Sequence, residues 1–271
     1  ALTSGRVDVV NEILPISPPL VENAPGLVVE EIPSGSYQPF VMMVDRPPFD
    51  DERVRTALKM CVNRDEFMVA VLQGHGVTAA DQPIPPYDPM YGNIAIPSQD
   101  IEGAKALLAE AGYPDGIEMD LHTSTGRVGM QESSITLKEQ AEPAGFRFNI
   151  QSHPIDNYWA EIWKQVPLFT SNWGGESPDY IFSYNYLSTS EQSESGWSDP
   201  RMDEVVALAR ETLDEDARRE LYTEAQQIIS DHGPIIVPYF RSYLNAWSER
   251  LQGFPMDPSR LTNFRRSWIQ E

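Results

Sequence analysis

The sequence predicts an α/β fold, and three observations carry the prediction. Strand-like and helix-like stretches alternate from about residue 40 to residue 245. The strand candidates are short β-branched and apolar runs bounded by Gly and Pro. The helix candidates carry apolar residues at i, i+3, i+4 and i+7 behind Asp or Asn caps.

The first strand candidates are residues 26–32 and 37–44. Val54, Ala57, Leu58, Cys61 and Val62 then share one helical face, with Asp50 or Asp51 as the cap. Asn63, with Glu66 three residues on, has the capping-box pattern of a second helix, and Gly74 ends it. Asp100 caps a third helix, whose stripe is Ile101, Ala104, Leu108 and Ala111; Gly112 and Pro114 stop it. A strand at 117–122, a helix at 129–142 and an alternating strand at 146–150 follow. A short helix at 157–165 precedes a strand at 167–173. Asp199-Pro200 opens one late helix and Asp214 caps another. Gly233-Pro234 breaks that helix before a strand at 235–240. The ends, 1–39 and 246–271, are thinner in core residues.

Forty-one acids against twenty bases give a net charge of −21, which repels nucleic-acid phosphate and anionic lipid, so neither is expected as a partner. The charge reads as a solvated surface, with a cation-attracting cleft as the sharper alternative. No run approaches the roughly 18–20 apolar residues of a membrane span, so direct membrane insertion is not expected. Ala1 to Arg6 have neither the basic start nor the apolar block of a leader, so either the protein is cytosolic or its front end has been removed. The single cysteine, Cys61, lies on a helix stripe and reads as packing. His75, His122, His153 and His232 show no metal spacing, and no hydrolase elbow, dinucleotide fingerprint or phosphate loop is present. No cofactor is expected.

The order of the motifs points to a family. Pro47-Pro48-Phe49-Asp50-Asp51-Glu52-Arg53-Val54-Arg55-Thr56-Ala57-Leu58, followed by Asn63-Arg64-Asp65, resembles the signature of family 5 extracellular solute-binding proteins, which include dipeptide-, oligopeptide- and nickel-binding members. The run from Asp100 to Gly116, the helix and turn from Leu137 to Gly145, and the opening Leu2 to Asp8 are similar to further family elements. The resemblance implies a periplasmic-binding-protein-like type II lobe, a mixed sheet flanked by helices. It implies a C-terminal fragment, since relatives are about twice as long. Residues 1–39 would be a remnant of the first lobe, 40–245 the C-terminal ligand-binding lobe, and 246–271 a return segment. The implied function is capture of a small, peptide-like solute and its delivery to an ABC transporter permease. The location implied is periplasmic or extracellular, with a lipoprotein tether allowed. A hydrolase-like α/β enzyme with a carboxylate site is the alternative from another class. Uncovered strand edges in the end segments are expected to favour association.

Two stretches are candidate binding residues. The family's "W--DY-DP" element, whose first acid meets a ligand amine in the peptide binders, corresponds to Trp173-Gly174-Gly175-Glu176-Ser177-Pro178-Asp179-Tyr180. Glu176 falls at the amine-binding acid and Asp179 at the second acid, while Glu for Asp and two changed neighbours depart from the pattern. A carboxylate facing an ammonium group there contributes about 1.5–3 kcal/mol. Trp173 offers an apolar face, and Gly174 and Gly175 a bend where backbone can approach a ligand. The second stretch is Thr123, Ser124, Thr125, Gly126 and Arg127, between a strand and a helix, where ligands of open α/β sheets collect. Arg127 could pair a carboxylate in bidentate fashion. The plainer readings are core for Trp173, a surface acid for Glu176 and a helix-capping loop at 123–127. Trp159 and Trp163, four apart, read as packing.

Overall fold

A computed structural model describes residues 1–254 and 264–270. The first part holds β1 (Val9–Val10), α1 (Pro18–Glu22), β2 (Leu27–Tyr37), β3 (Phe40–Met42), α2 (Glu52–Met60), α3 (Arg64–Leu72) and β4 (Gly76–Thr78). The middle holds α4 (Ile101–Glu110), β5 (Ile117–Ser124), α5 (Met130–Ala141), β6 (Phe146–His153), α6 (Ile155–Glu161), β7 (Leu168–Thr170) and α7 (Pro178–Asn185). Then come α8 (Pro200–Glu211), α9 (Glu215–His232), β8 (Ile235–Ile236), β9 (Tyr239–Ser248), β10 (Leu251–Gln252) and β11 (Trp268–Ile269).

The larger sheet has the order β6-β5-β7-β3-β8, with β6, β5 and β7 parallel and β3 antiparallel to both its neighbours. It is the mixed sheet expected. One face packs under α2 to α5, where Phe40, Met42, Leu121 and Ile236 meet Val54, Phe67, Leu108 and Leu137. The other face packs under α6 to α9, where Val41, Phe169 and Ile235 meet Tyr158, Ile181, Val205 and Ile229. A second sheet is built on β9, which pairs antiparallel with β2 from Leu27↔Ser248 to Tyr37↔Phe240 and also with β1 and β4. Its own core is small: Leu2, Val21 and Ala246, with Val10, Ile13, Leu27 and Val29 packed on them.

Two of the passages the chain makes between the sheets take only two residues each. Gln38-Pro39 joins β2 to β3, and Val237-Pro238 joins β8 to β9. Pro238 explains why the strand anticipated at 235–240 divides: it has no N–H for the ladder. The same anticipated run at 37–44 divides at Pro39, and β2 instead continues past Pro33 to Tyr37 with a bulge between Pro33 and Ser36.

The caps follow local chemistry. Asp51, rather than Asp50, accepts from Arg53 N (2.8 Å); Asp100 accepts from Gly103 N (2.8 Å), Asp199 from Arg201 N (2.7 Å) and Asp214 from Ala217 N (2.9 Å). Asn63 accepts from Glu66 N (3.2 Å), but the return half of the capping box comes from elsewhere. Gln140 Oε1 takes the Asn63 N–H (3.0 Å), and Gln140 Nε2 donates to Glu66 (3.2 Å). The short helix expected at 157–165 starts earlier, directly after Pro154, and ends at Glu161. Cys61 is buried, donates to Ala57 O (3.2 Å), and has its thiol pushed up to about 12 by burial.

The signature residues serve the fold. Arg55 donates to Phe49 O (2.7 Å), closing the turn that leads into α2. Arg64 forms a buried ion pair with Asp81 (2.5 Å) and donates to Pro97 O (2.9 Å). The other Asp81 oxygen accepts from Val237 N (3.0 Å), so this pair also fixes the passage at 237–238.

Candidate ligand-binding site

The strands β5 and β7 run parallel and end on the same side of the larger sheet. Their exits are the two candidate stretches, 123–127 and 173–176. Gln38, in the first passage between sheets, joins them: its buried amide donates to Val128 O (2.6 Å) and to Asn172 Oδ1 (3.4 Å) and accepts from Tyr239 OH (2.9 Å). Gly129 closes against this group. Its φ of 91° and the Gln38 Oε1 that a Cβ would meet at 2.7 Å both exclude other residues.

In the first stretch the Thr123 and Ser124 hydroxyls are committed internally, while Thr125 is exposed. Thr123 Oγ1 donates to Met130 O (3.0 Å) and accepts from Thr170 Oγ1 (3.1 Å), and Ser124 Oγ accepts from Gly126 N (3.1 Å). Gly126 lies against Ile155, so a Cβ there would collide with that side chain. Arg127 is exposed, and its guanidinium makes no ion pair with the described residues. It borders a cavity of about 430 Å³ that Leu14, Pro15 and Ile16 close from the opposite side. Behind the loop, His122 Nδ1 lies 3.0 Å from His153 Nε2. Burial, with His153 adding to it against Asp120, holds His122 below the ordinary imidazole value. The β5–β6 register makes this pair, which no sequence spacing shows.

In the second stretch Trp173 is held at both ends. Its backbone bridges Tyr37 through two hydrogen bonds (3.0 and 3.1 Å), and its indole N–H donates to Glu194 Oε2 (2.9 Å). Gly175 meets the bulge of β2: a Cβ on Gly35 would run into Gly175 Cα, and Tyr87 OH would lie 2.7 Å from it. The Gly-Gly bend therefore lets two backbones approach each other. Glu176 is exposed. Asp179 lies on α7, a helix absent from the sequence reading, and pairs with Arg210 (2.6 Å). Pro178 occupies the first position of α7, where its missing N–H has no cost.

Sequence reasoning missed Gln38 and Glu194. Gln38 was legible only as a polar residue inside an apolar run; Glu194 sits in a polar Ser- and Glu-rich stretch and carried no signal. Glu194 is buried, and its carboxylate accepts from Trp163 Nε1 (2.6 Å), Ser171 Oγ (2.5 Å) and Trp173 Nε1 (2.9 Å). Burial raises its pKa, while the three donors work against the rise. Among the described residues no group of three or more His, Cys, Asp and Glu side chains is placed to hold a metal ion. No helix among them is long and apolar enough to cross a membrane.

Residues 1–195 match the profile of bacterial extracellular solute-binding proteins, family 5 Middle. The chain belongs to that family. It is 29% identical over 240 residues to the dipeptide-binding protein of Escherichia coli, covering 84% of this chain and 44% of that protein. It is 25% identical over 276 residues to a glutathione-binding protein of Pectobacterium atrosepticum, covering 93% and 51%. Among solved structures, the ABC transporter-associated periplasmic binding protein DppA of Helicobacter pylori, in complex with the peptide STSA, superposes with a TM-score of 0.89 at 18% identity, over all of this chain and 54% of that one. The Bacillus subtilis oligopeptide-binding protein AppA, with a nonapeptide, gives 0.88 at 20%, over 99% and 57%. The chain thus spans about half the length of the relatives it matches.

Proposed function

We propose that this chain is the ligand-gripping part of a periplasmic or extracellular solute-binding protein. It captures a small, peptide-like solute and passes it unaltered to an ABC transporter permease. A lipid-tethered form falls within the same reading. The observation that supports it best is that one exposed acid, Glu176, and one exposed base, Arg127, follow the ends of two neighbouring parallel strands whose exits Gln38 joins. A solute with a free amine and a free carboxylate suits that pair of charges. The relatives named above point the same way, since they are binding proteins for dipeptides, glutathione and oligopeptides. They lend no support to the carboxylate-enzyme alternative. The 40–245 segment would form this lobe, with 1–39 and 246–271 belonging to the other. The two-residue passage at 38–39 lies at the first of these boundaries and β9 spans the second, and there the lobes would hinge.

Calorimetry on the full-length protein with a dipeptide tests the reading. Glu176→Ala and Arg127→Ala should each weaken binding at least about tenfold, one charge-assisted bond's worth. Acetylating the dipeptide's amine should cost affinity in the wild type but not in the Glu176 variant. Amidating its carboxylate should do the same for Arg127. Full affinity in both variants, or turnover of the dipeptide, removes the proposal.

A further inference from the structure

We infer that Glu194 is a positioning and specificity-determining residue: it fixes the Trp173 indole and makes that wall of the site selective for a cationic ligand group. The inference rests on the reading that residues 173–176 face the ligand.

The argument starts from an unusual partnership. A carboxylate taken out of water ordinarily needs a cation or a full set of donors. Glu194 has no ion pair among the described residues and is held by three donors, two of them indole N–H groups. These donors come from separate parts of the chain. Trp163 follows α6, Ser171 and Trp173 follow β7, and Glu194 lies between α7 and α8. The next residue is itself anchored, since Ser195 O accepts from Val44 N (3.0 Å) beyond the end of β3. Glu194 is therefore a fixed post to which the two tryptophans are tied.

Two consequences follow for Trp173. Its ring cannot rotate without breaking a charge-assisted hydrogen bond, so the face it presents is preset, and Tyr184 packs edge-on against it (5.4 Å between centroids). The carboxylate also leaves negative charge at the N–H end of the indole. An aromatic face attracts cations through its quadrupole, and a carboxylate accepting from the ring N–H adds to that attraction. Glu176, three residues along, places a second carboxylate on the same segment. Tyr37 OH is buried near both acids and has no hydrogen-bond partner among the described residues; burial above all, then Tyr186, Glu194 and Glu176, raise its pKa. A protonated amine or guanidinium group is stabilised there from two directions, and a neutral group of the same size from neither.

The test is the ratio of two affinities in the full-length protein: a dipeptide with a free amine against its N-acetyl form, by calorimetry at pH 7. Glu194→Gln keeps the volume and removes the charge. It should lower the free-amine to N-acetyl ratio about five- to tenfold while leaving the N-acetyl affinity within twofold. Near-UV circular dichroism gives a ligand-free readout: Glu194→Gln and Trp173→Phe should each reduce the tryptophan bands. Should Glu194→Gln fold poorly, Trp173→Phe keeps an aromatic face but frees it from the post, and it should lower the same ratio. A wild type that discriminates while both variants discriminate equally well overturns the role of Glu194 alone. Loss of both affinities in parallel makes Glu194 merely structural and also overturns it. A wild type that binds neither dipeptide ends the reading of the site, and the selectivity with it, while unchanged tryptophan bands separately end the positioning role.

Discussion

Removing the carboxylate of Asp81 should be among the most destabilising single changes in this chain. Asp81 and Arg64 side chains are 1% and 2% exposed, and their nearest atoms are 2.5 Å apart. Asp81→Ala leaves a guanidinium buried without its counter-charge, which costs about 3–5 kcal/mol. It also strands the Val237 N–H, whose orphaning is part of that figure. For a chain of 271 residues, each kcal/mol moves the melting point by roughly 2 °C, so the midpoint should fall by roughly 6–10 °C. Thermal melts followed by far-UV circular dichroism measure this directly. The double variant Arg64→Met with Asp81→Leu removes both charges and restores apolar volume, so it should recover most of the loss. A single variant within 1 kcal/mol of wild type, or a double variant as unstable as the two singles summed, would refute the argument that the pair acts as one unit.

Three further outcomes are expected. Lys59 is buried and donates to Ile229 O (3.3 Å) and Ser230 O (2.8 Å) in the last turn of α9; burial lowers its pKa from 10.5 to about 8. Between those values the unfolded chain holds the proton more tightly, so stability should rise with pH across that window by about 3 kcal/mol relative to Lys59→Met, measured by urea titration at each pH. Gly35→Ala drives a methyl into the Gly175 backbone and should cost roughly 1–3 kcal/mol; an unchanged midpoint in the same titration would mean the two segments separate freely. The chain alone exposes Leu14, Ile16, Leu20 and Trp268 by 53%, 73%, 73% and 60%, so light scattering should show association that Ile16→Glu with Leu20→Glu reduces.

What the sequence disclosed and what it withheld divide along a physical line. Caps and stripes are local chemistry, so Asp51, Asn63, Asp100, Asp199 and Asp214 were readable before any fold was known. The length of β9 was hidden because Ser242 and Asn245 interrupt its apolar run; pairing with β2, two hundred residues earlier, holds it extended. The helix α7 was hidden because Gly174, Gly175 and Pro178 read as a bend, although Pro at a first helical position is itself a start signal. In the candidate site, Trp173 and Glu176 were legible from the motif and Arg127 from its place between a strand and a helix. The Gln38 bridge and the Glu194 post were not, because each joins segments far apart in sequence, and only the tertiary fold brings those segments together.

The two short passages between the sheets lie side by side, since Tyr37 pairs with Phe240 at one end of them and Phe40 with Ile236 at the other. Next to them the sheets are stitched a further time, by the Tyr37–Trp173 bridge and by Ser36 Oγ, which donates to Trp173 O (3.0 Å). Gln38 sits within that seam and grips Val128, Asn172 and Tyr239, so a shift of one sheet against the other is passed to both strand exits at once.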